Sequence, residues 1–171
     1  MDKTLKVINE MKKDGVIKDY AIGGAIAVMF YTEPFLTVDL DIMFIPVDEE
    51  KSKIAPLSPI YTYLVEERGY EIWQECIIVE GVTCQFVPVG HKLELEALIN
   101  ADETTYEEVK TRVLKPEYII AIYVYADRRK DREKISRLFE QHDIDEDLLE
   151  DILKRYGLYD KYVKNKRWYY E

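Results

Sequence analysis

Helical spacing comes first along the chain. In residues 4–17, TLKVINEMKKDGVI, the apolar Leu5, Ile8 and Met11 recur as one face of a helix, and Gly15 supplies a stop. Residues 19–22 read as a short strand. Gly23-Gly24 reads as a turn, and residues 25–31 as a buried helix that Thr32-Glu33-Pro34 ends. Residues 37–45, TVDLDIMFI, alternate polar and apolar as a half-buried strand does, and Pro46 closes them. A helix is predicted over 58–68, with Ser58 as cap, Pro59 in its first turn and Gly69 past its end. Two β-rich runs follow, 70–79 and 82–89, divided by a Glu80-Gly81 hairpin turn.

From Lys92 onward the pattern is helical, with segments at 92–101, 104–111, 116–140 and 145–155. Pro116 suits the first turn of the third, and Asp143 or Asp145 can cap the fourth. These elements predict an α+β fold: a small mixed sheet with helices in residues 1–90, then a helical half, 91–171. No Pro/Gly/Ser-rich linker divides them, so one compact unit is expected, with the helices packed on the sheet.

Two features of the first half carry chemistry. Alternation along a strand puts Thr37, Asp39 and Asp41 on one face and Val38, Leu40, Ile42 and Phe44 on the other, where they can enter the core. Two like charges so close repel each other unless a cation lies between them. A magnesium ion, with few carboxylates, water and substrate phosphates, matches that donor set. Read alone, the pair is more plainly a half-exposed strand with an acidic face, and it gains meaning only through its neighbour. The second feature is the Gly23-Gly24 turn between strand and helix. Glycine lets backbone approach a ligand closely, and a helix start offers free amides to an anion. Tight packing is the plainer reading of the turn.

Composition narrows the partners. The chain has 171 residues and a net charge of −10, which opposes sequence-independent nucleic-acid binding by the whole surface. A polyanion site would have to be built from metal and backbone amides. No apolar run reaches the roughly 18 residues of a membrane span, and the first residues lack the continuous apolar core of a secretory signal. A cytoplasmic protein without membrane association is expected. Cys76 and Cys84 lie in strand-like segments and read as buried thiols in a reducing compartment. His91 and His142 have no evident ligand companions.

Strand, Gly23-Gly24, helix, and then a strand bearing Asp39-Leu40-Asp41 resembles the nucleotidyltransferase superfamily, the polymerase β-like fold. The likeness continues in VTCQFVPVGHKLELEAL, similar to that family's third sheet strand and following helix. TRVLKPEYIIAIYVYADRRKDREKISRLF is similar to the helical segment of the AbiEii-type branch, which includes toxins of toxin–antitoxin pairs. The resemblance implies that Asp39 and Asp41 are catalytic carboxylates binding Mg2+. It implies that Gly23, Gly24 and Thr37 hold a nucleoside triphosphate, and that Arg128 and Lys130-Asp131 match an R-x-K-D element near the catalytic face. A nucleoside monophosphate would pass to a protein, RNA or small-molecule hydroxyl, and a cognate antitoxin is an implied partner.

The chain departs from the family at three charges. Gln85 stands at the third-carboxylate position, where an amide brings no charge and takes no proton. Glu75 or Glu80 could substitute, though neither stands at the matching place. Phe35 replaces an arginine and Tyr123 a lysine. A catalytically inactive nucleotide-binding module, or a protein-interaction module without a nucleotide, are the alternative readings.

Two further segments invite plain readings. The basic and aromatic tail KYVKNKRWYY could stack single-stranded RNA, but docking by its aromatics, or a protein partner, is preferred because the net charge opposes RNA. The acidic stretch 143–151 reads as a capped helix start.

Overall fold

The helical period at the start of the chain forms α1 (Asp2–Lys13), which buries Leu5, Val7, Ile8 and Met11 on one face. Each such side chain removed from water contributes about 1.5–3 kcal/mol before entropy is counted. The computed structural model describes residues 1–170. After α1 come β1 (Ile17–Ile22), α2 (Gly24–Met29), β2 (Leu40–Pro46) and the short α3 (Glu49–Ser52). Next is α4 (Ser58–Tyr61), which widens into a π-helical turn at Thr62–Glu67. The order continues with β3 (Glu71–Trp73), β4 (Cys76–Val79), β5 (Val82–Pro88), α5 (Lys92–Ile99), β6 (Asp102–Tyr106) and β7 (Val109–Val113). Then follow α6 (Pro116–Ala126), a 3-10 turn at Arg129–Asp131, α7 (Arg132–Gln141), α8 (Glu146–Arg155), α9 (Tyr159–Asn165) and a last 3-10 turn at Lys166–Trp168.

All seven strands join one mixed sheet in the order β3-β4-β5-β2-β1-β7-β6. β1 and β2 are antiparallel, while β2 with β5 and β1 with β7 are parallel. The central β2 buries Leu40, Ile42, Met43 and Phe44. The fold is therefore the expected α+β one, a mixed sheet with helices, and its last helices α6–α9 follow the sheet in sequence.

Several elements differ from the pattern reading, each for a local reason. The strand expected over 37–45 begins at Leu40, so Thr37 and Asp39 precede it. β1 ends at Ile22 and turns into α2, which removes the neighbour that residues 37–39 would have needed. Val38 accordingly stands 69% exposed instead of entering the core. The helix expected at 104–111 is the β6–β7 hairpin, and β7 pairs with β1. The long helix expected over 116–140 is broken at Asp127, which adopts a left-handed conformation, so α6 and α7 are separate. The run 70–79 is itself a hairpin, turning at Gln74 with a left-handed φ of 56°. Ser58 is the first helical residue of α4 and forms no cap.

The tail docks by its aromatics. Tyr162 and Tyr169 are buried, their rings stack 5.7 Å apart, and the Arg132 guanidinium lies 3.6 Å from the Trp168 ring centroid. Asp145 caps α8 through the Leu148 amide at 3.0 Å. Cys76 and Cys84 are buried and free, and burial pushes the Cys84 thiol up to about 12. Among the described residues no helix is long and apolar enough to cross a membrane.

Candidate functional site

Antiparallel pairing brings the end of β1 against the beginning of β2. Ile22 stands opposite Ile42, and the Gly23 amide donates to the Asp41 carbonyl at 2.9 Å. The turn after β1 is thus held beside Asp41 by backbone geometry alone. Gly24 has a φ of +57°, and a Cβ built there would lie 1.8 Å from Asp41 Oδ2. Glycine is required at this position by conformation and by space together. Any other residue would push the carboxylate away from the turn.

The parallel pairing of β2 with β5 sets Gln85 directly beside Asp41, so the two project from the same face of the sheet. From the other side, α6 and the turn after it supply Ile122, Tyr123, Tyr125, Arg128 and Lys130. These walls enclose a cleft of about 690 Å3, lined also by Gly24, Thr37, Asp39, Asp41 and Gln85. That volume is in the range of small-molecule sites. Of the glycines, aspartates, Thr37, Gln85, Arg128 and Lys130 expected at the site, Gly23 is missing from the lining. It is buried, and a Cβ there would meet Met43 Sδ at 2.9 Å. Its amide is already engaged, so it shapes the turn instead of offering its amide to a phosphate. Glu75 and Glu80 do not line the cleft either.

The carboxylates are under tension. Asp39 Oδ1 is buried without a hydrogen-bond partner. Burial, and then the charge of Asp39, push the Asp41 carboxyl above its ordinary value, while Arg128, Lys130 and Lys134 pull it back. A buried acceptor without a donor is costly, about 1–3 kcal/mol, so an ion or donor at this spot would relieve it. Among the described residues no group of three or more His, Cys, Asp or Glu is placed to hold a metal ion. A cation here would have the two aspartates, with the Gln85 amide oxygen beside them. A small octahedral ion takes its remaining ligands from water and from phosphate oxygens.

Two residues of the site, Lys134 and Glu94, were not singled out in the sequence. Lys134, on α7, lines the cleft and bonds Asp131 Oδ1 at 3.0 Å. Arg128 Nε bonds the other oxygen of the same carboxylate at 2.6 Å. Asp131, 2% exposed, is thus a buried clamp for two cations, although only its match to R-x-K-D marked it. Glu94 lines the cleft as well, with its carboxylate accepting from the Gly90 and His91 amides. The capping-box spacing from His91 to Glu94 was its signal. His91 caps α5 and stacks on Tyr125 at 4.6 Å.

A second hollow of about 490 Å3 lies among Asn9, Lys12, Tyr20, Thr111 and Arg112. Its groups are satisfied internally. The Tyr20 hydroxyl meets Asn9 and Thr111, and Lys12 and Arg112 both pair with Asp19.

No family model matches the chain, and no curated protein matches it in sequence. Solved structures do. An antigenic nucleotidyltransferase-like protein from Paracoccidioides brasiliensis superposes with a TM-score of 0.54 at 18% identity, over 82% of this chain and 74% of that one. ANT(2″)-Ia, solved in complex with adenylyl-2″-tobramycin, superposes with a TM-score of 0.53 at 16% identity, over 92% of this chain and 98% of that one. At such identities the likeness is one of fold, and the fold is nucleotidyltransferase-like.

Proposed function

We propose that this protein binds a nucleoside triphosphate with Mg2+ and transfers a nucleoside monophosphate to a hydroxyl acceptor. The observation that carries the reading is the meeting of Asp39 and Asp41 with the Gly24 turn in one cleft, with Asp39 Oδ1 left without a partner. Asp39 and Asp41 would hold the metal. Bound there, the ion would neutralise phosphate charge and draw the triphosphate toward the aspartates. Gly24 gives the triphosphate close access to backbone, and Thr37 borders the same space. Arg128 and Lys130 face the carboxylates across the cleft and supply countercharge to the phosphates. Attack by the acceptor hydroxyl would form a new oxygen–phosphorus bond at the α-phosphate and release pyrophosphate.

The acceptor is a protein, RNA or small-molecule hydroxyl. ANT(2″)-Ia, solved in complex with adenylyl-2″-tobramycin, is a fold neighbour whose bound ligand is a small molecule. The finer placement in the AbiEii-type branch, with a toxin role, a cytoplasmic setting and a cognate antitoxin, is supported by Arg128 and Lys130-Asp131 in the R-x-K-D spacing. Co-purification of an inhibitory partner encoded beside this chain would test it.

A second reading is favoured by one residue. Gln85 stands in register with Asp41 and cannot take the acceptor proton. A nucleotide-binding module without turnover fits that substitution. Titration of the four nucleoside triphosphates, with and without magnesium, followed by a pyrophosphate assay with candidate acceptors, separates the readings. Magnesium-dependent binding with pyrophosphate release supports transfer. Binding without release supports the module, and no binding at all removes both.

A further inference from the structure

Tyr123 is 5% exposed, and its hydroxyl is buried without a hydrogen-bond partner. Three other buried phenols of this chain are satisfied. Tyr20 meets Asn9 and Thr111, Tyr118 donates to Glu96 at 2.8 Å, and Tyr162 bonds Tyr170 at 3.0 Å. An orphaned buried hydroxyl is unfavourable, and phenylalanine would pack the same ring without that cost. The residue also lines the cleft, so the missing partner can come from a ligand.

The surroundings say what kind of atom that partner is. A phenol is protonated at neutral pH, and burial together with the charges of Asp131 and Asp41 keeps it so. Its free bonding capacity includes the proton, which calls for an acceptor oxygen. Lys134 Nζ lies 5.6 Å from the Tyr123 ring centroid, and the Asp131 clamp holds it together with Arg128. A neutral donor beside two fixed cations suits an anionic oxygen better than a sugar or protein hydroxyl.

We propose that the Tyr123 hydroxyl is a ligand-binding donor that bonds a non-bridging phosphate oxygen of the nucleotide, alongside Lys134 and Arg128. The inference rests on the reading that the cleft takes a nucleoside triphosphate. It adds a neutral donor from α6 to the cations of the following turn and α7.

Tyr123→Phe tests this because it removes one oxygen and leaves the buried ring. The probes are magnesium with each of the four nucleoside triphosphates, and magnesium with inorganic tripolyphosphate. The variant is expected to bind the preferred triphosphate about tenfold more weakly, to weaken similarly toward tripolyphosphate, and to melt no lower than wild type without ligand. Equal triphosphate affinity in both proteins overturns the inference alone. So does a loss seen with triphosphate but not with tripolyphosphate, or a loss of turnover with binding unchanged, since each puts the hydroxyl elsewhere on the substrates. A clearly lower melting temperature of the ligand-free variant also overturns it, because the hydroxyl would then have a partner within the protein. If wild type binds no triphosphate, the nucleotide reading falls and takes this inference with it.

Discussion

Two carboxylate environments in this protein contrast sharply. Glu96, on α5, is saturated: its oxygens accept from Arg155 at 2.9 and 2.7 Å, from Tyr118 at 2.8 Å, and from Tyr156. The Arg155 guanidinium first, helped by both phenols, holds its carboxyl down to about 2. That cluster ties α5 to α6 and α8. Asp41 in the cleft is the opposite case, pushed upward by burial and by Asp39, whose Oδ1 has no partner. Glu96 is complete within the chain and reads as architecture. The aspartate pair is incomplete within the chain, and that incompleteness is the physical argument for a bound cation.

The contrast breaks most visibly at the aspartates themselves. Asp39→Asn with Asp41→Asn should lower magnesium-nucleotide affinity by roughly a hundredfold or more, because each charged contact contributes about 1.5–3 kcal/mol. The ligand-free double variant should melt no lower than wild type. Calorimetric titration and a thermal melt read the two effects side by side. Gly24→Ala comes next. The +57° φ and the 1.8 Å approach to Asp41 Oδ2 predict a stability loss of about 1–3 kcal/mol, with weakened binding as the carboxylate is displaced. Urea unfolding measures the first and nucleotide titration the second.

Glu96→Gln should reverse the pattern. It should cost about 2 kcal/mol in stability and leave nucleotide affinity unchanged, as the same two measurements would report.

Acid titration sharpens the contrast through its sign. Glu96 has a depressed folded value, so its contribution is present above the ordinary 4.5 and is lost as pH falls through about 2. Asp41 has a raised folded value, so its contribution is present below the ordinary 3.8 and is lost as pH rises through that raised value. Without metal, Asp41→Asn should therefore raise the melting temperature at neutral pH by a few degrees, with no gain at pH 3. The smallest effect is expected from Gln85→Glu. A third charge in register with Asp41 should tighten magnesium binding roughly fivefold, since affinity follows ligand charge count.

The cleft's first wall was legible in the sequence because it rests on short-range rules. A glycine pair after one strand and two aspartates at the start of the next need only antiparallel pairing to meet. The β6–β7 hairpin was not legible, because its turn is Glu107-Glu108, with φ of 45° and 69°. Neither residue gives the Asn-Gly or Asp-Gly signal of such turns. Its β-branched alternation, Val109, Thr111 and Val113, was present but read as helix. The break between α6 and α7 hides for the same reason, since Asp127 takes the left-handed position that glycine usually marks. Lys134 could not be assigned to the site without knowing that break. A continuous helix over 116–140 would have sent it in another direction. Tyr123 carried only half a signal. Its place was marked, but that its hydroxyl lacks a partner is a fact of packing.

The most direct test is a crystal soaked with a nucleoside triphosphate and Mn2+, the latter located by its anomalous scattering. A metal peak at coordination distance from Asp39 and Asp41, with the triphosphate running past Gly24, is the predicted result. An ordered nucleotide elsewhere, or a soaked crystal with no metal peak between the aspartates, would contradict the account.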